Sequence, residues 1–168
     1  IHPDHIAGTS AGAILGAFYC AGYSPEQIMH IIRETNLFAF FRPAFSRKGI
    51  LSFDAFDRFF KRYLPATFEG MEIPLTVNAA DIASHQTEFF RTGYLIRPLK
   101  ASSSIPGLFK PVEIKGVQYV DGGILNNLPI EPLLETACDK LIGIHSNPVL
   151  PGKKITNIRT VLERTFNI

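Results

Sequence analysis

Residues 8 to 12 read Gly8-Thr9-Ser10-Ala11-Gly12, and residues 121 to 123 read Asp121-Gly122-Gly123. A serine in the pattern GxSxG fits a sharp turn from strand into helix, where the glycines let the backbone approach itself closely. A serine held this way suits nucleophilic attack on an acyl ester. The flanking residues fit that context. His5-Ile6-Ala7 can end a buried strand, Ala11 to Cys20 reads as a small-residue helix, and Gly22 stands where a C-terminal cap belongs. Ser10 would then sit at a helix N-terminus, whose dipole and free N–H groups favour negative charge. The N–H of Ala11, directly after the serine, is the oxyanion donor that elbow geometry supplies. The second element is a strand from Gly116 to Val120 that delivers Asp121 into a Gly-Gly turn, at the strand end where open α/β sheets place their sites. Each element alone has a plainer reading: an ordinary tight turn for GTSAG, and a turn aspartate bonding its own backbone for Asp121.

Taken in order along the chain, three blocks resemble the patatin-like phospholipases. They are GTSAG at 8 to 12, Ala101-Ser102-Ser103-Ser104-Ile105-Pro106-Gly107-Leu108-Phe109 followed by Pro111-Val112, and Asp121-Gly122-Gly123 continuing to Asn126-Asn127-Leu128-Pro129. The resemblance spans residues 6 to 146. It implies a Ser/Asp dyad, with Ser10 as nucleophile and Asp121 as the base that accepts its proton. It also implies an α/β/α three-layer sandwich with a mostly parallel central sheet, acting on fatty-acyl esters of lipids without a metal or other cofactor. The serines at 102 to 104 would wall the pocket, although three serines before Ile105-Pro106 also read as a helix end bonding its own carbonyls. Asn126 and Asn127 cap the next helix, and Asn127 is expected to brace the aspartate loop.

Members of this family carry a glycine-rich loop upstream of the elbow that forms much of the oxyanion hole. This sequence opens at Ile1, nine residues before Ser10. The expectation is therefore one catalytic domain over residues 1 to 168, N-terminally incomplete and without that loop or its strand. Two other readings compete. His145 ends the apolar run Leu141-Ile142-Gly143-Ile144, and the order Ser10, Asp121, His145 is that of an α/β-hydrolase triad, in which the imidazole takes the serine proton. A domain lacking its oxyanion loop could instead be a catalytically silent lipid-binding module.

The elements that must position these residues are well punctuated. Ser24-Pro25-Glu26-Gln27 combines an N-cap, a first-turn proline and a capping-box glutamine, and predicts a helix to about Glu34. Ser52 caps a third helix through Tyr63. Glu72 to Ile82 and Gln86 to Arg91 read as strands around a Ser84-His85 turn. A helix from Pro98 to Ser104, a helix from Pro129 to Ala137, a strand from Lys140 to His145 and a last helix from Thr156 or Asn157 complete the pattern. Strands separated by helices point to a mostly parallel sheet.

Composition narrows the alternatives. A net charge of +2 argues against a dedicated nucleic-acid binder, and there is no phosphate-binding loop, zinc-type Cys/His spacing or internal repeat. No run of about 20 apolar residues is present to span a membrane. Cys20 and Cys138 read as two buried free thiols. His5 reads as packed, His30 as a helix-face residue and His85 as a turn residue. In Leu37 to Tyr63 aromatic and basic residues interleave, a pattern compatible with a membrane surface; the sequence leaves the compartment open, with a cytoplasmic or membrane-peripheral setting slightly favoured. Phe53, Phe56, Phe59, Phe60 and Tyr63 recur at helical spacing, as a core-facing stripe does. Phe38 to Phe45, with Arg42, Arg47 and Lys48 near, could cap the acyl pocket and touch an anionic lipid surface.

Overall fold

The structure, a computed structural model, describes residues 2–35, 54–107 and 109–146. The expectations for Phe38 to Phe45, for Ser52 and Phe53 and for the last helix lie outside these residues. Helix α1 runs over Ala11–Cys20, α2 over Pro25–Thr35 and α3 over Asp54–Tyr63. The first two begin and end where local chemistry says they should. Gly22, with φ +90°, reverses the chain after α1, and its amide bonds the Tyr19 carbonyl. At α2 the capping box is made in both directions: Gln27 N–H donates to Ser24 Oγ at 3.3 Å, and Ser24 N–H donates to Gln27 Oε1 at 2.8 Å.

Among the described residues five strands form one sheet. They are β1 (Ile6–Gly8), β2 (Leu75–Asp81), β3 (Thr87–Phe90), β4 (Val112–Ile114) and β5 (Val117–Asp121). β2 is the hub. Val77 pairs with Gly8 on one side and Phe90 on the other, while Ala79 pairs with Asp121 on one side and Glu88 on the other. β1 and β5 therefore share one edge of β2, with β3 along the opposite edge. Only β1–β2 is parallel; the pairings of β2 with β3, β2 with β5 and β4 with β5 are antiparallel. The expected mostly parallel sheet is thus a mixed one. Tight turns replace helical crossovers at two connections, and a tight turn can join only antiparallel strands. Between β4 and β5, Lys115 (φ 52°) and Gly116 (φ 83°) both adopt the left-handed region, as a two-residue hairpin turn requires. Gly116 consequently belongs to the turn rather than to the strand. Between β2 and β3, Asp81 accepts from Ala83 and Ser84 amides and from Ser84 Oγ.

Helix α4 covers Ile96–Ser102, a short way before the expected Pro98 to Ser104. A proline is tolerated throughout the first turn, so it marks that turn and not its first residue. Helix α5 is confined to Glu131–Leu134. Thr136 ends it by turning its hydroxyl (2.6 Å) and its amide (3.1 Å) onto the Leu133 carbonyl. Residues 140 to 145 are not a strand. Leu141, Ile142 and Ile144 are exposed, and among the described residues this segment has no neighbouring strand to complete a ladder. Cys138 is likewise exposed instead of buried, while Cys20 is fully buried; both thiols are free.

The principal core lies between α1, α3 and β2. Phe56, Phe59 and Phe60 are buried there, and Phe18 of α1 meets Phe59 at 5.8 Å and Tyr63 at 6.2 Å between ring centroids. The aromatic stripe of α3 is packing. A smaller cluster of Ala79, Ala101, Val112 and Tyr119 joins α4 to the strands that carry the aspartate.

Candidate active site

The site forms where two strand ends meet. β1 runs parallel to β2 and stops at Gly8 opposite Val77; β5 runs antiparallel and stops at Asp121 opposite Ala79. The two C-terminal ends point at each other along one edge, and Asn78 occupies the position between them. Two residues beyond Gly8, Ser10 donates its hydroxyl to Asp121 Oδ2 at 2.7 Å, across 111 residues of sequence.

Ser10 sits on a strained turn, with φ 53° and ψ −122°. That region costs a non-glycine residue about 1–3 kcal/mol and persists only where surrounding contacts hold it. Two contacts do so here. Gly8 lets β1 fold tightly against α1, since a Cβ on it would stand 2.8 Å from the backbone of both Gly12 and Ala13. Ser10 N–H also donates to Ser102 Oγ at 2.8 Å. Among the described residues Gly12 faces open space, so packing there does not require the second glycine of the motif. In the first turn of α1 the amides of Gly12, Ala13 and Ile14 are engaged by the carbonyls of Thr9 and Ser10. The amide of Ala11 makes no such bond among the described residues.

Asp121 is fully buried, and both its oxygens are engaged. Oδ2 takes the Ser10 hydroxyl and Oδ1 takes the Gly123 amide at 2.8 Å. The aspartate thus bonds its own turn as well as the serine. Burial pushes its carboxyl up to about 6, because the charged form loses water; the two hydrogen bonds pull the other way and only partly compensate. Gly122 is tied to its neighbour: a Cβ there would meet the Asn78 side-chain amide at 2.5 Å.

Several further residues hold this arrangement. The Asn126 carbonyl accepts from both Thr9 Oγ1 (3.2 Å) and Asn78 Nδ2 (2.7 Å), which joins the serine turn, the central strand and the aspartate loop at one atom. Asn78 Oδ1 is buried with no hydrogen-bond partner among the described residues. An amide residue inside the mainly apolar run Leu75 to Ala80, where Thr76 is the other polar residue, was the signal available for Asn78. Asn127 lies, half-buried, between the aspartate turn and α5. Of the three serines, Ser104 back-bonds to the Lys100 carbonyl at 2.7 Å, as a helix end does, and its own carbonyl accepts the Asp121 amide at 3.0 Å.

No imidazole intervenes between Ser10 and Asp121, which bond directly. His145 lies in the exposed segment after α5. His5 bonds Thr76 Oγ1 at 3.0 Å, and its pKa is lowered by burial and, secondarily, by Arg91. Among the described residues no group of three or more His, Cys, Asp or Glu side chains could hold a metal ion, and no helix is long and apolar enough to cross a membrane.

Known proteins provide an independent comparison. An uncharacterized NTE family protein of Mycobacterium bovis is 31% identical over 145 residues, which is 84% of this chain and 40% of that protein. Lysophospholipase NTE1 of Candida albicans is 27% identical over 150 residues, 84% of this chain and 11% of its own length. Lysophospholipase NTE1 of Cryptococcus neoformans is 35% identical over 83 residues, 49% of this chain and 5% of its own. The chain therefore spans two-fifths or less of the length of these relatives. The family model for patatin-like phospholipase matches residues 1–134, and the chain belongs to that family.

Proposed function

We propose that this domain hydrolyses carboxylic esters of lipids, as a phospholipase A or lysophospholipase does, through a Ser10/Asp121 dyad and an acyl-serine intermediate. The observation that carries the reading is the 2.7 Å hydrogen bond from Ser10 Oγ to the buried Asp121 carboxylate. Family membership, and the lysophospholipase activity named for two of the relatives, point to the same substrate class. Membership also favours a three-layer α/β/α arrangement around the mixed sheet.

In this mechanism Ser10 Oγ attacks the ester carbonyl carbon while Asp121 takes its proton. A carboxylate is a weak base for an alcohol, so transfer must be concerted with attack and with stabilisation of the oxyanion as it forms. The Ala11 amide is the donor available for that oxygen. The raised pKa of Asp121 helps, because a desolvated carboxylate is a stronger base than an exposed one. Collapse of the tetrahedral intermediate expels the alcohol, which regains the proton from Asp121. Water, activated by the same carboxylate, then releases the fatty acid from Ser10. Direct bonding of Ser10 to Asp121 favours this dyad over the triad with His145. Phe38 to Phe45 remain the proposed contact with a lipid surface. Weaker vesicle binding by Phe41→Ala combined with Phe45→Ala, at unchanged thermal stability, would support that contact.

The decisive experiment treats the protein, Ser10→Ala and Asp121→Asn with a fluorophosphonate, and assays each on a lysophospholipid and a diacyl phospholipid. Labelling confined to the parent protein at Ser10, with a burst of product, is expected. Lipid binding without any labelling of Ser10 would replace the hydrolase reading with that of a lipid-binding module.

A further inference from the structure

We propose that Ser102 is a positioning residue whose hydroxyl holds the backbone of Ser10 in its strained turn, and so sets the distance from the nucleophile to Asp121. The proposal rests on the hydrolase reading of the site.

Three observations carry it. First, Ser10 N–H donates to Ser102 Oγ at 2.8 Å, across 92 residues of sequence, at a position where φ is 53°. A serine does not hold that conformation unaided, and a bond to its own amide acts directly on the φ and ψ at issue. Second, Ser102 is itself enclosed by the core. It is fully buried at the last residue of α4, and its neighbours Leu99 and Ala101 are buried in the core. Third, the same three-residue segment holds the other half of the pair, because the Ser104 carbonyl accepts the Asp121 amide at 3.0 Å. The end of α4 is thus bonded to both Ser10 and Asp121. Their separation is set from behind, at a helix terminus, as well as by the hydrogen bond between their side chains.

The three consecutive serines differ in what they do, and this supplies the control. The Ser104 hydroxyl is taken up by the Lys100 carbonyl. The Ser103 hydroxyl is buried away from any open pocket surface, so it does not wall the site, and it has no hydrogen-bond partner among the described residues. Of the three, that of Ser102 reaches Ser10. Ser103→Ala therefore removes an equally buried hydroxyl one residue away without touching the brace.

The test compares the protein with Ser102→Ala and Ser103→Ala by rate of fluorophosphonate labelling, by its pH dependence, and by hydrogen exchange of the Ser10 amide. For Ser102→Ala the expected result is about ten- to a hundredfold slower labelling, the range in which small misplacements cost rate. KM for a lysophospholipid should change little while kcat falls. The acid limb should move upward, because the Ser10 hydroxyl no longer helps Asp121 to ionise, and a general loosening of the fold would not produce that shift. Exchange at Ser10 should accelerate while the amides of α1 stay protected. Ser103→Ala should match the parent in all three. Parent-like labelling, pH midpoint and exchange in folded Ser102→Ala would overturn the proposal, as would equal losses in the two variants. If the alanine variant does not fold, Ser102→Cys keeps nearly the same volume with a poor acceptor and carries the same expectations. If the parent itself is not labelled at Ser10, the hydrolase reading falls, and the amide exchange alone still decides whether Ser102 holds Ser10.

Discussion

Gly8 lies so close to Ala13 that a Cβ on it would stand 2.8 Å from both the Cα and the N of that residue. These are backbone atoms at the start of α1 and cannot swing aside. The other glycine of the motif, Gly12, has none of the described residues within 4 Å of where its Cβ would lie. The two positions should therefore respond to alanine with opposite signs. Gly8→Ala is expected to cost about 1–3 kcal/mol through overpacking and to displace Ser10. Gly12→Ala, inside a helix and unobstructed, is expected to gain about 0.5–1 kcal/mol. Urea unfolding of the two variants beside the parent reads both; a loss at Gly12 equal to that at Gly8 would show that the motif needs its second glycine for the fold.

Ionisation of Asp121 should destabilise the native state. Its carboxyl is raised from an ordinary 3.8 to about 6 in the fold. Between those values the native state holds a proton that the unfolded chain has lost, so stability falls as pH rises and the loss is complete above about 6. A shift of that size corresponds to roughly 3 kcal/mol. In Asp121→Asn the side-chain oxygen can still accept from Gly123 and the amide can meet Ser10 Oγ, but nothing ionises. The variant should melt higher than the parent at pH 7.5, and the difference should shrink towards pH 4. A melting-temperature difference that stays constant across this range would mean that the buried carboxylate carries no such cost.

Phe60 tests the core that supports α1 from below. It is fully buried, with Phe56 edge-on at 5.4 Å and Phe59 tilted at 5.5 Å between centroids. Phe60→Ala should cost about 3–5 kcal/mol in thermal or denaturant unfolding, the range for deleting a large buried ring. A cost below about 1 kcal/mol would mean that the α3 stripe packs loosely enough to collapse around the gap.

The features legible in the sequence are local in origin. The bounds of α1 and α2 follow from Gly22 and from the Ser24 to Gln27 capping box, whose partners lie within a turn of one another. The aromatic period of α3 signals its packing for the same reason. Ser10 and Asp121 are legible as motif residues, but the pairing that joins them is not, since it depends on β1 and β5 ending opposite Val77 and Ala79 of a third strand. Asn78, Asn126 and Ser102 act on partners between 48 and 117 residues away, through bonds that no short pattern encodes. The expected strand at Lys140 to His145 has the right composition. A strand also needs a neighbour, and composition says nothing about one.

His145 separates the two hydrolytic mechanisms most cleanly. It lies exposed after α5, while Ser10 bonds straight to Asp121. If Asp121 itself accepts the serine proton, His145→Ala should change kcat/KM by less than about threefold, whereas loss of a general base in a triad costs several powers of ten. The pH profile adds a second reading of the same question. A base with a pKa near 6 must be ionised to work, so kcat/KM should rise with pH through about 6 and level off above it, in the parent and in His145→Ala alike. An acid limb that disappears in His145→Ala would assign the proton to the imidazole and remove Asp121 from the role of base.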